Sequence, residues 1–102
     1  MLDCREISEK VTEGFLLTDD LVHGGISKAR GYLDDLDALR IGYLEAIFSK
    51  DVITKLADKE YGMSEAIKEK NPDKFRAYAE SAQKIVLSEG LMAVARCIMK
   101  EA

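Results

Sequence analysis

The only histidine, His23, stands in the segment DLVHGG. One imidazole falls short of the partner sets that most metal sites and catalytic triads need. An exposed bundle histidine can accept a phosphoryl group, but the Gly24-Gly25 pair that follows points to a turn, so His23 reads as a partly exposed loop residue. The densest carboxylate cluster is Asp34, Asp35 and Asp37. Paired carboxylates on facing helices can hold magnesium for phosphate chemistry. The chain nevertheless has no E-E-x-x-E segment with a following E-x-x-D segment, and no Glu-x-x-His pair. These acids therefore read first as a solvated, salt-bridged helix face. Cys4 and Cys97 read as free, buried thiols, because a single long-range pair is not a disulfide framework. Tyr32, Tyr43, Tyr61 and Tyr78, with Met63, Met92 and Met99, have the makings of a ligand pocket, yet at such spacings they are more often core and boundary residues. No Gly-rich phosphate loop, nucleophile elbow or His-Asp doublet occurs, so no cofactor is expected and catalysis is unsupported.

The frame for these side chains follows from composition. A chain of 102 residues with 47% hydrophobic and 33% charged residues builds one core, so 1-102 is expected to be a single helical domain. No apolar run approaches the roughly 20 residues that cross a bilayer. The opening MLDCREISEK is acidic and amphipathic, unlike a secretion signal, so a cytoplasmic location and no membrane association are expected. The net charge of -4 includes no evident basic face, which makes nucleic acid an unlikely partner.

Helical periodicity runs through the whole chain. Cys4, Ile7, Val11 and Phe15 recur at spacings of three and four. They predict a helix from Asp3 to Leu17, with Asp3 and Glu6 as a capping box. The stretch TDDLVHGG reads as a turn. A second helix is predicted from Ile26 to Ser49 on the stripe Ile26, Ala29, Leu33, Leu36, Tyr43, Leu44, Ile47, with Arg30-Asp34 and Asp37-Arg40 as local ion pairs. Two short helices follow, one from Asp51 to a break at Gly62 and one capped by Ser64 and running to Lys70. Asn71 as N-cap and Pro72 in the first helical position then start a final helix of roughly 28 residues and 42 Å. That is longer than the roughly 34 Å diameter of a globule of this size.

The segment ITKLADKEYGMSEAIKEKN resembles a helix-turn-helix in outline, with two short helices meeting at a glycine. Ala57 and Ile67 stand one residue off the places that motif uses on either side of Gly62. Glu65 and Glu69 cancel Lys68 and Lys70, so the second helix brings no net positive charge to a phosphate backbone.

The projecting end of the last helix, LMAVARCIM, is apolar almost all round, and such a helix is normally covered. The expected architecture is therefore all-α: a helical bundle of two long helices and shorter connecting helices, completed by homodimerisation around Leu91, Val94 and Ile98. The leading functional expectation is a non-enzymatic protein-protein interaction or regulatory module with an unspecified protein partner. Two alternatives stand beside it. One is a small metal- or ligand-binding enzyme using Asp34 and its neighbours with His23 or Tyr43. The other is a DNA-binding protein using residues 53-70.

Overall fold

The computed structural model describes residues 2–101, and among these every regular element is helical. Helix α1 spans Cys4–Gly24 and α2 spans Ala29–Leu39. A π-helical turn, Arg40–Leu44, leads into the short α3, Glu45–Ile47. Helix α4 covers Lys50–Glu69, and α5 covers Pro72–Glu101. The run from α2 to α3 acts as one rod, so the chain forms an up-down-up-down bundle in which α1 and α4 both line α5. The second rod rests on α1 and touches α4 only sparsely.

Side-chain caps start α1, α4 and α5 at or near the positions the sequence indicates, whereas α2 begins at Ala29, three residues after the expected Ile26, with no side-chain cap. The Asp3 carboxylate accepts the Glu6 amide at 2.8 Å, and the Glu6 side chain reaches back to the Asp3 amide. Ser49 caps α4 by accepting from Val52, and Asn71 caps α5 by accepting from Lys74. These side chains satisfy amides that have no partner inside their helix.

The helix expected from Ile26 to Ser49 is interrupted by the π-turn at Arg40–Leu44, and helix boundaries depart from expectation in two further places. Helix α1 continues through TDDLVHG, seven residues beyond Leu17, because Leu21 is fully buried and Thr18 donates its hydroxyl to the Phe15 carbonyl. The bend falls instead at Gly25, whose φ of 76° is the left-handed value glycine tolerates. Likewise α4 is one uninterrupted helix where two were expected. Gly62 is interior to it, and an added Cβ would lie 2.5 Å from the Tyr78 ring, so its role is close helix packing and not a turn. With no turn at Gly62, the helix-turn-helix reading of residues 53-70 loses its geometry.

The core runs along the bundle axis through Leu21, Leu36, Leu44, Leu56, Met63, Phe75 and Val86, each at most 2% exposed. The π-turn changes which side chains of the second rod reach it. It advances the buried register from Leu36 and Leu39 to Leu44 and Phe48, which leaves Tyr43 on the surface. Gly90 lets α1 and α5 approach, since a Cβ there would meet Val11 at 2.3 Å.

Helix α5 is longer than its neighbours, and the molecule extends 48 Å along its long axis. Helices α4 and α5 pair antiparallel from their tight junction at Lys70-Asn71, so α4 begins at Lys50 roughly level with Gly90. Past that level α1, with α3 at one side, accompanies α5 among the described residues.

Candidate functional site

Two places gather side chains with chemical or binding potential. The first is the α1/α5 end. Leu87, Leu91, Val94 and Ile98 follow one another at spacings of four, three and four, which puts them in one line along α5. Leu91 is 62% and Ile98 56% exposed, whereas Val94 is half-buried. Met92 and Met99 lie exposed beside that line. Between α1, α3 and α5 the same end opens a groove of about 570 Å³ whose lining includes Ile7, Ile47, Ala93 and Met99, with Arg96 and Lys100 as its cations. The groove exists because α4 does not extend this far.

Antiparallel pairing of α1 and α5 also joins the two cysteines. Cys4 and Cys97 are disulfide-bonded with Cα atoms 5.6 Å apart, so the expectation of free, buried thiols is corrected. Both are half-buried. The sequence placed them 93 residues apart, and only the register of α1 on α5 brings them together. Gly90 against Val11 and the Gln83 amide donating to Asp19 at 3.0 Å hold that same register farther along.

The second place is the sparse seam between the second rod and α4. Arg40, at the start of the π-turn, donates through Nε to Glu60 Oε2 at 2.7 Å and through Nη2 to Asp37. Its Nη1 lies 3.7 Å from Glu45. The Glu60 side chain is only 8% exposed, and its second oxygen, Oε1, is buried with no hydrogen-bond partner among the described residues. Burial, reinforced by the neighbouring Asp37 carboxylate, pushes the Glu60 carboxyl up to about 7 against the opposing pull of Arg40. A cleft of about 300 Å³ here is lined by Asp34, Asp37, Arg40, Glu60, Tyr61 and Ser64. Sequence reading paired Asp37 with Arg40 but missed Glu60. The available signal was a carboxylate on the apolar stripe Leu56, Glu60, Met63 of α4.

The acids singled out on the second helix do not converge. Asp34 and Asp37 line the Glu60 cleft, whereas Asp35 lines a separate hollow with Asp20 and Tyr43. Lys10 lies over the Tyr43 ring at 3.9 Å. His23 is exposed near the end of α1, with Nε2 3.4 Å from Asp19 of its own helix. Among the described residues, neither His23 nor these aspartates belong to a group with metal-ligating spacing. No helix among the described residues is long and apolar enough to cross a membrane. Comparison with models of protein families, with curated proteins and with solved structures found no match to this chain.

Proposed function

We propose that this protein is a non-enzymatic helical interaction module that self-associates through the C-terminal half of α5. The observation that carries this reading is the line Leu87, Leu91, Val94, Ile98, which continues past the reach of α4 with two of its members more than half exposed. Spacings alternating four and three suit a second helix crossing at a shallow angle. A two-fold axis across α5 sets the same line of a second copy against it, so that one patch covers both. An apolar line left in water favours such burial by roughly 25 cal/mol for each Å² removed.

The test is sedimentation of the parent protein beside Leu91→Asp and Ile98→Asp. Both side chains are exposed within one chain, so neither change disturbs the core. The parent is expected to sediment as a dimer and each variant as a monomer with unchanged circular dichroism. A parent that remains monomeric at tens of micromolar, or variants that keep its mass, would refute this interface.

A second reading, a small-ligand site, is favoured by one observation, the unpartnered Oε1 of Glu60 beside an acidic cleft. A buried acceptor with no donor costs about 1–3 kcal/mol, and a ligand ammonium would supply the donor. Calorimetric titration with methylammonium is expected to show binding that Glu60→Gln weakens; no heat from the parent protein removes this reading.

A further inference from the structure

We propose that, once its disulfide is reduced, the α1/α5 clasp is a zinc site formed by Cys4, Cys97 and Glu101. Ligand atoms of these three residues all lie within 4.8 Å of one another. Cys97 and Glu101 are four residues apart on α5, so both face the same way from one helix. Cys4 is supplied across the pair by the first turn of α1. Two sulfurs and one carboxylate oxygen suit zinc, which takes thiolate at about 2.3 Å and carboxylate at about 2.0–2.2 Å in a tetrahedral shell. Three protein ligands leave the fourth position to water. Glu101 is exposed and the cysteines half-buried, so an ion reaches them from solvent without unfolding the bundle.

The chemistry balances with a dithiol as reductant. The Cys4–Cys97 disulfide takes two electrons and two protons from it and becomes two thiols, while the dithiol becomes a disulfide. Binding one Zn²⁺ then releases both thiol protons. The site goes from zinc's two positive charges to a net charge of minus one, since two thiolates and the Glu101 carboxylate surround the ion. Arg96 and Lys100, which line the adjoining groove with Cys97, offset that charge. Either a covalent bond or a metal ion therefore holds the N-terminus of α1 to the C-terminal part of α5. The site uses none of the residues of the proposed dimer line, and it lies within one chain.

The experiment uses the full chain, reduced with a phosphine and kept free of oxygen, with Co²⁺ as a visible probe and Zn²⁺ as its competitor. One Co²⁺ per chain is expected, with the intense thiolate-to-cobalt absorption that Zn²⁺ bleaches, and with the same stoichiometry in monomeric Leu91→Asp. Cys97→Ser is expected to lose the absorption. Glu101→Gln, whose exposed side chain has no part in folding, is expected to weaken binding on the order of tenfold or more while leaving circular dichroism unchanged. The proposal is overturned by absence of the thiolate absorption in the reduced parent, by unchanged affinity in Glu101→Gln, or by half an ion per chain, which would mean a site between two molecules.

Discussion

Breaking the Cys4–Cys97 bond is expected to remove a large share of the stability of the whole domain. The bridge ties residues 93 apart, so it closes nearly the entire chain into one loop. In the chain-entropy account, a loop of that length constrains the unfolded state by about 4.6 kcal/mol at room temperature. A domain of this length is typically stable by about 5–15 kcal/mol, so the reduced protein should retain a helical fold with a much smaller margin. Urea denaturation followed by circular dichroism, with chelator present so that no metal substitutes for the bond, measures the difference directly. Cys4→Ser and Cys97→Ser should each reproduce the loss seen on reduction. The double variant should lose no more than either alone, because the two changes remove one bond. Superimposable oxidised and reduced curves would refute the reasoning. So would alkylation of both cysteines in the folded protein before any reductant is added.

Three further outcomes follow from the packing and the buried charge. Because the Glu60 carboxyl sits near 7 in the fold and 4.5 is its ordinary value, the folded state holds this proton more tightly. Its contribution to stability is therefore fully present below about pH 4.5 and lost as pH rises to 7. The total is about 3 kcal/mol, to be read as the difference between parent and Glu60→Gln in denaturation midpoints from pH 4.5 to 8. Parallel pH profiles for the two proteins would sink this account of Glu60. Gly90→Ala should destabilise by about 1–3 kcal/mol, since its methyl group would meet the buried Val11, whereas Gly31→Ala, with open space around it in α2, should stabilise by about 0.5–1 kcal/mol. Thermal melts compare these two variants, and equal shifts would show that α1 and α5 do not approach at Gly90.

Much of the helical layout is legible in the sequence. The capping box at Asp3 and Glu6 and the Asn71-Pro72 start are local chemistry: each depends on a side chain meeting an amide three residues away. The length of α5 and its apolar C-terminal part were also readable, because an uncapped periodic pattern simply continues. Glycines were misread at Gly24 and Gly62. Intrinsic propensity counts a glycine as a break, but burial of Leu21 beside the first and the Tyr78 ring against the second outweigh a cost near 1 kcal/mol. The shift of register at Arg40–Leu44 carried no sequence mark, so Tyr43 was placed with the stripe and lies at the surface.

By itself, then, the sequence determined that the chain is helical, where two of its helices begin, and that the tail of α5 is rich in apolar residues. These properties depend on residues within a few turns of one another. Tertiary structure alone decided that Cys4 meets Cys97 and that Arg40 meets Glu60. Each pairing depends on how one helix slides along another, which is set by the summed packing of the bundle at contacts such as Val11 on Gly90 and Tyr78 on Gly62. No short stretch of sequence contains that sum.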